Sequence, residues 1–298
     1  MRARPVHKWR TYLITRRCSD RRFFLRPCET TNQILMYLLG KAASRFQLQL
    51  HGWVVMSNHI HIVLTDIAGQ LPDAMHWLML QTSKGVGAEI GRWGGFWDNN
   101  RYSRVELLDR NSAISKLVYT LANPVSARLV RRAHRWPGAT SAAFRFGETR
   151  TIPPPKTEYF SGDKWQEPAR LTVLPPPGMT AADATAVVQR RVQRRETAVA
   201  RLMRQQGGGR FLGEKRVLRQ DPFDCPTSWE KRRGRNPTFA SGDRWRRVEA
   251  AQRKRGWQAE YREALAAYRR GEPNVQFPAG TWAMVKLYGC RCAPPARI

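Results

Sequence analysis

Residues 47–66 contain the feature that most restricts how this chain can fold. Two stretches rich in β-branched and apolar residues, 47–56 and 59–66, are separated by only two residues, Ser57 and Asn58. Two such stretches joined by a two-residue connection are typical of an antiparallel β-hairpin. The sequence therefore predicts a pair of adjacent strands here, and the rest of the domain must be built around them.

The alternation of side chains along 59–66 assigns its two histidines to one face. Alternate side chains of a strand share a face, so His59 and His61 lie together and the isoleucines at 60 and 62 lie opposite. The apolar set suits a face covered by helices, so we expect the histidines on an open face. Imidazoles about 7 Å apart can converge on one cation. On spacing alone, the pair also fits two half-exposed surface histidines.

The elements around the hairpin follow an order typical of one fold class. By periodicity they are strand, helix, strand, strand, helix, strand and helix, at 8–17, 31–46, 47–56, 59–66, 71–92, 96–108 and 112–123. Apart from the last helix, this is the order of a ferredoxin-like domain. The sequence predicts an α+β fold with a ferredoxin-like (RRM-like) antiparallel sheet, with helices on one face and the other face open for binding.

The composition changes after about residue 147. Proline runs at 153–155 and 175–177 flank a polar stretch, which is typical of a linker. Beyond it, two basic stretches at about 180–206 and 243–270 have helical character. We therefore predict a folded domain, a Pro-rich linker and a basic, mostly helical C-terminal region, at 1–147, 148–180 and 181–298.

The net charge indicates the kind of partner. The 298 residues include 52 Lys+Arg and 23 Asp+Glu, which gives a formal net charge of +29. The excess is spread over both halves of the chain, and it most often reflects a polyanionic partner, usually nucleic acid. A hydrophobic content of 42% with eleven Trp supplies ample material for a core, which excludes a wholly disordered basic chain.

Other features exclude further classes of protein. No uninterrupted apolar stretch approaches the roughly 18 residues that a membrane span needs, and no apolar segment follows the basic N-terminus. We therefore expect no membrane anchor and no signal peptide. The five cysteines include no C-x-x-C spacing, which argues against a structural zinc site and a disulfide framework. These features predict a cytoplasmic protein.

The helix predicted at 112–123 carries a second pair of polar groups. Tyr119 and Asn123 are four residues apart, so they lie one turn from each other on one face. Pro124 follows and disfavours helical backbone in the residue before it, so the helix ends or kinks there. The pair fits a functional phenol and amide, or a tyrosine at the edge of the core with Asn123 as a helix cap.

Three segments together resemble the signature blocks of a known family. They are Met56-Ser-Asn-His-Ile-His-Ile-Val-Leu64, Phe96-Trp97-Asp98 with Arg101-Tyr102-Ser103, and Tyr119-Thr-Leu-Ala-Asn-Pro-Val-Ser-Ala-Arg-Leu-Val130. In this order they resemble the HUH-type single-strand transposases, and most closely the REP-associated tyrosine transposases (RAYT). The resemblance spans about residues 8–140, with Ser57 where the family often has Pro.

The resemblance implies a DNA transposase that cleaves and rejoins single-stranded, hairpin-bearing DNA through a 5′-phosphotyrosine intermediate. It implies Tyr119 as the nucleophile and His59 and His61 as metal ligands. Asn123 matches the third ligand, which is a Gln in related transposases. The implied cofactor is Mg²⁺ or Mn²⁺. The implied partner is single-stranded DNA with REP-like or transposon-end hairpins, bound by a homodimer or monomer at the bacterial nucleoid.

Basic residues elsewhere are candidates for DNA contacts. These candidates are Arg101, Arg104, Lys84, Arg190, Arg191, Arg194 and Arg195. The basic helix at about 186–206 fits either DNA binding or a solvated helix face. Tyr102 is a rival nucleophile because it lies between two arginines. His51, on the neighbouring strand, is a rival metal ligand, although its parity with Trp53 suggests a packed residue.

Two other functions remain open from the sequence. One is a catalytically silent or domesticated nucleic-acid-binding regulator on the same fold, which would have no need of His59, His61 and Tyr119. The other is a different phosphoesterase that uses the His-x-His pair. That enzyme would need a further His, Asp or Glu at strand spacing, where Val63 and Thr65 stand.

Overall fold

The computed structural model of the chain describes residues 3–99, 102–228 and 237–294. Its strands are β1 (Arg10–Arg17), β2 (Leu48–Met56), β3 (His59–Asp66), β4 (Ser103–Leu107), β5 (Thr149–Ile152), β6 (Ala169–Thr172), β7 (Phe239–Ala240), β8 (Gln276–Phe277) and β9 (Arg291–Cys292). Its helices are α1 (Glu29–Arg45), α2 (Leu71–Glu89), α3 (Arg110–Leu121), α4 (Asn123–Ser126), α5 (Ala181–Gln205), α6 (Glu214–Leu218), α7 (Arg244–Arg269) and α8 (Ala283–Tyr288).

A five-stranded sheet in the order β2-β3-β1-β4-β7 organises the molecule. Strands β1 to β4 pair antiparallel, and the short β7 pairs in parallel with β4. Strand β3 pairs along its whole length with both β1 and β2, and residues 57 and 58 form the predicted turn. The first strands and helices follow the chain order predicted from the sequence, and the α+β class is confirmed.

Helices α1 and α2 cover one face of this sheet. The apolar side chains of β3 that alternate with the histidines, Ile60, Ile62 and Leu64, are buried in the cluster that these helices complete. Leu38 of α1 and Leu78 of α2 belong to the same cluster. This is the face that the alternation in the sequence assigned to helices.

The opposite face, called here the histidine face because it carries His59 and His61, is not open as the sequence suggested. It also carries Leu13, Val63 and Val105, and these side chains are buried against α3. The apolar stripe of α3 and Val188 of α5 complete this second cluster. The expectation of helices on one face only was therefore wrong, because apolar side chains on three strands of the histidine face also require a cover.

A glycine allows α3 to lie close to the sheet. A Cβ atom at Gly52 would come within 2.3 Å of the Leu117 side chain, which is fully buried. A β-bulge between Leu50 and Gly52 interrupts the pairing of β2 with β3 and turns both His51 and Gly52 towards the histidine face. The bulge therefore places a residue without a side chain where α3 crosses β2.

The segment at 148–180 is packed against the domain, in contrast to the predicted linker. Strands β5 and β6 form an antiparallel hairpin, and Leu171 joins the cluster under α1 and α2. Between the two strands, two turns of 3₁₀ helix bring Phe160 and Trp165 into the same cluster. The Tyr37 hydroxyl lies 2.9 Å from the carbonyl oxygen of Trp165. The prolines mark the ends of this segment, but its apolar side chains place it in the core.

The region at 181–298 contacts the sheet domain on two sides. Helix α5 packs against α3 and α4, while β7 extends the far edge of the sheet and α7 packs on β7 and β8. The backbone N–H of Val6 donates to the carbonyl oxygen of Gly280, which ties the N-terminal segment to this region. Among the helices of the described residues, none combines the length and the apolar character that crossing a membrane requires.

We predict that Trp165→Ala lowers the free energy of unfolding by about 3–5 kcal/mol, because the indole fills space within the main core. Lys156→Ala, at an exposed position of the same segment, should change it by less than about 0.5 kcal/mol. Urea unfolding followed by circular dichroism measures both values. Equal, small effects of the two substitutions would show that the segment behaves as a linker.

Candidate active site

The candidate site lies where the start of β3 meets the end of α3. His59 and His61 come from β3, Tyr119 from the last turn of α3, and Asn123 from the first position of α4. The structure thus brings together all four residues that the sequence singled out, from positions up to 64 residues apart. Three of the four contact a common neighbour, His61.

His61 is the centre of this group. Its ring is buried, and its Nδ1 lies 2.8 Å from the hydroxyl oxygen of Thr15, the residue directly opposite on β1. Its Nε2 lies 3.2 Å from Nδ2 of Asn123. A half-turn of the Asn123 amide would present its oxygen to the same point. The Thr15 hydroxyl therefore fixes the ring, and the amide approaches the nitrogen on the other side.

His59 lies beside it at the edge of the site. The centroids of the two imidazole rings are 4.8 Å apart, and the rings meet at 84°. Nδ1 of His59 lies 2.7 Å from Oδ1 of Asn58. Because an amide oxygen only accepts hydrogen bonds, His59 donates from Nδ1 when it is neutral, and its lone pair is then on Nε2.

The end of α3 determines where Tyr119 and Asn123 point. A capping box between Asp109 and Ser112 fixes the start of the helix. The helix ends at Leu121, two residues earlier than the sequence indicated, and a separate turn begins at Asn123 with Pro124 in its first turn. The predicted interruption at Pro124 is confirmed. Asn123 therefore begins a new turn of helix and is not the cap of α3.

Tyr119 is both in contact with the histidines and open to solvent. Its ring centroid is 5.3 Å from that of His61 at an angle of 74°, and 44% of the residue remains exposed. The Nζ of Lys116, one turn earlier on α3, is 5.8 Å from the centroid of the same ring. A phenol that is exposed beside a cation is accessible to a large anionic substrate.

The donor atoms at this site fit a divalent cation. Within the described residues, no group of three or more His, Cys, Asp and Glu side chains is placed to hold a metal ion. The available donors here are two imidazoles and one amide, which leave coordination positions for water or a phosphate oxygen. The contacts of Nδ1 in His59 and His61 are of the kind that orient metal-binding histidines. Imidazole donors suit Mn²⁺ better than Mg²⁺, which prefers oxygen ligands.

The predicted DNA contacts fall into three groups. Arg101 lies outside the described residues. Arg104 and Lys84 lie on the side of the sheet away from the histidines: the Arg104 guanidinium is 5.1 Å from the Tyr12 ring, and Lys84 is on the exposed side of α2. The third group is on α5, which packs on the histidine face. Its members are Arg190, Arg191, Arg194 and Arg195.

The two rival residues lie away from the site. Tyr102 packs against the core on the side of α1 and α2. His51 faces the same side of the sheet as His61, but it contacts Thr65 at the other end of β3, with 2.8 Å between Nε2 and the Thr65 hydroxyl oxygen. Thr65 is four residues from His61, about 13 Å along a strand. His51 is buried, as the sequence suggested, and the bulge turns it to the face opposite Trp53.

Three residues of the site were not identified from the sequence. Thr15 and Asn58 orient the two imidazoles, and Lys116 lies over the Tyr119 ring. The role of Thr15 follows only from the register that places it opposite His61. Lys116 could have been identified from the sequence, because three-residue spacing on a helix places it next to Tyr119.

Comparisons with known proteins give similar structures only. No protein-family model and no curated protein sequence matches this chain. A structure of a REP-associated tyrosine transposase bound to a REP hairpin is 19% identical, with a TM-score of 0.40 over 46% of this chain and 79% of the other. A Deinococcus radiodurans protein provisionally described as a transposase is 19% identical, with a TM-score of 0.29 over 35% and 85%. A member of the family that the sequence resembles is thus among the structural neighbours.

We predict that His51 makes stability depend on pH in a way that His51→Gln removes. Burial lowers the pKa of His51 to about 4, whereas an unfolded chain has a value of about 6.5. Between these values the unfolded chain binds a proton that the native protein does not, so the free energy of unfolding falls as pH decreases through this range. The loss from pH 7 to pH 5 is about 2 kcal/mol.

Urea unfolding of the protein and of His51→Gln at both pH values measures this effect as a difference between the two chains. The comparison cancels the titration of other groups, since these are shared. If the free energy of unfolding depended on pH in the same way in both chains, a lowered pKa of His51 in the native protein would be contradicted.

Proposed function

We propose that this chain is a metal-dependent DNA strand transferase that acts on single-stranded, hairpin-bearing DNA, as a tyrosine transposase does. The observation that carries the proposal is the convergence on His61 of a second imidazole, an amide and an exposed phenol. The order of the three sequence blocks supports the same family. The formal net charge of +29 suits a polyanionic substrate.

In this proposal the Tyr119 phenol attacks a phosphodiester of the bound strand. Its oxygen forms a bond to phosphorus as the bond from phosphorus to the 3′ oxygen breaks. The phenol loses a proton and the departing oxygen gains one, so the products are a 3′-hydroxyl and a 5′-phosphotyrosine. Rejoining is the same step in reverse with another 3′-hydroxyl. Because the covalent intermediate keeps the bond energy, the reaction needs no ATP.

The other residues hold the reacting groups in place. His59, His61 and Asn123 would hold a divalent cation, which when bound neutralises charge on the non-bridging phosphate oxygens. Thr15 and Asn58 keep the imidazoles in one tautomer and one orientation. Lys116 adds a positive charge beside the phenol, where the phosphate must enter.

We predict that Tyr119→Phe abolishes the covalent protein–DNA adduct, because phenylalanine lacks the attacking oxygen. A labelled single strand containing a hairpin is incubated with Mn²⁺ or Mg²⁺, and the adduct is detected by denaturing electrophoresis. Binding of the same DNA without divalent metal should stay within about twofold, since one hydroxyl is small beside the phosphate contacts.

Tyr102→Phe is the matched control, because it removes the same atom from the rival tyrosine. It should leave adduct formation intact. Loss of the adduct in Tyr102→Phe and not in Tyr119→Phe would refute the assignment of the nucleophile. Binding without any adduct in the unmodified protein would favour a catalytically silent regulator.

We predict that Thr15→Val weakens binding of Mn²⁺ by about 10–100-fold, which is the usual effect of removing the group that orients a ligating histidine. The control is Thr11→Val, which removes a hydroxyl from the same face of β1. Thr11 contacts Thr65 at 2.8 Å, at the far end of β3 from His61. Calorimetric titration of both variants with Mn²⁺ gives the comparison, and equal affinities would contradict a cation on His61.

A further inference from the structure

We propose that α5 is a second DNA-binding surface, which holds the phosphate backbone of a duplex stem beside the Tyr119 site. The choice of a DNA hairpin as the ligand rests on the proposed function. The surface itself is defined by Arg190, Arg194 and Arg201, which are called here the α5 row. All three side chains are exposed.

The α5 row is regular. At 100° per residue, its three arginines fall within about 40° of one another around the helix axis, and the row extends for about 16 Å. They point away from the buried side of the helix, where Val188, Val199 and Met203 pack on the domain. The row therefore presents three guanidinium groups to solvent along one straight line.

The charges of the α5 row are not neutralised by ion pairs within the described residues. In the part of the chain that the structure describes, no carboxylate forms an ion pair with any member of the α5 row. The acidic residues of α5 are Asp183, at its first turn, and Glu196, which is buried on the inner side. A row of exposed arginines can neutralise DNA phosphates. The counterions that the DNA then releases favour binding.

The composition of α5 favours a duplex over a single strand. Surfaces that bind single strands combine positive charge with aromatic side chains, on which the bases stack. Helix α5 contains no aromatic residue along its 25 positions. A duplex needs only phosphate contacts at regular spacing, and about 16 Å corresponds to about five base pairs at 3.4 Å each. The stem of a hairpin is the duplex part of the proposed substrate.

A contact of Arg195, the residue next to Arg194, joins α5 to the neighbourhood of the site. Arg195 donates from Nε to the hydroxyl oxygen of Ser126 at 3.2 Å. Ser126 ends the short helix that begins with Asn123, so this contact lies one turn from the amide beside His61. A stem held on the α5 row would therefore lie on a helix that directly contacts the short helix beginning at Asn123.

The buried carboxylate of Glu196 fixes the rotation of α5. One carboxylate oxygen of Glu196 accepts the backbone N–H of Ala133 at 2.8 Å, and the other lies 2.9 Å from NH1 of Arg132. Because Glu196 is buried, these two contacts hold one face of the helix against the domain. The α5 row is thereby kept on the solvent side in a single orientation.

The test compares two triple variants that remove the same charge. One is R190Q/R194Q/R201Q on α5. The control is R255Q/R262Q/R269Q on α7, where the three arginines lie seven residues apart on one exposed helix side. Helix α7 packs on β7 and β8 at the other edge of the sheet, away from α4. Circular dichroism and thermal unfolding establish that both variants are folded.

Binding of a labelled hairpin is measured at several salt concentrations in EDTA, so that cleavage does not contribute. The α5 variant should bind at least about tenfold more weakly, and the slope of log K against log salt should fall by about 2–3, close to 0.9 per lost phosphate contact. The α7 variant should change affinity less than threefold. Equal losses of affinity in the two variants would overturn the proposal, because the overall positive charge of the protein would then explain binding.

A second DNA, with the same length but no self-complementarity, identifies the bound form. The α5 variant and the unmodified protein should bind it alike, within about twofold. An equal loss on this unpaired strand would overturn the assignment of a duplex stem.

The two proposals can fail separately. If Tyr119 forms its adduct but the α5 variant binds the hairpin normally, only the proposal for α5 fails. If no adduct forms while the α5 variant still loses stem binding, the proposed function fails alone.

Discussion

The close approach of α3 to the sheet at Gly52 is the constraint on which the candidate site depends. Leu117 lies over a backbone without a side chain, so the helix lies lower on the sheet than any other residue at position 52 would allow. The C-terminal end of α3 is thereby brought down to the level of the imidazoles on β3. The contact of Tyr119 with His61 and the approach of Asn123 to His61 both follow from this short distance between α3 and the sheet.

Two polar layers lie at opposite ends of the histidine face. At one end of β3, Thr11, Thr65 and His51 form a closed, buried set of hydrogen bonds, and burial lowers the pKa of the His51 ring. At the other end, Thr15 and His61 form the same kind of pair, but the second ring nitrogen meets an amide at the edge of solvent. The apolar layer around Val63 separates the two ends.

Much of this arrangement was predictable, because it depends on local pattern. Strand β3 begins and ends where the alternation predicted, and the two-residue turn before it is confirmed. Tyr119 and Asn123 were identified by helical spacing and by Pro124. The linker prediction at 148–180 was wrong because prolines bound a segment whose buried residues, such as Trp165, follow neither strand nor helix periodicity.

The features that escaped prediction depend on register and on distant contacts. The bulge after Leu50 reverses the parity of His51, and no composition signal marks it. The pairing of Thr15 with His61 requires the relative register of β1 and β3. The cover of the histidine face by α3 was indicated in principle by Leu13 and Val105, but only once their strands are placed in one sheet.

In the proposed reaction, the distribution of charge separates the site of bond exchange from the DNA-binding surface on α5. The groups that converge on His61 are an imidazole, an amide and a phenol, none of which carries a permanent charge. Without a cation they provide little attraction for a phosphate. The chain's positive charge lies instead on surfaces such as the α5 row. Contacts remote from the reacting phosphodiester can supply the binding energy that positions this phosphodiester in the site. In the proposed reaction, the large net charge of the chain would hold and orient the DNA. The bond exchange itself would depend on a few weakly charged side chains whose positions are set by the sheet and α3.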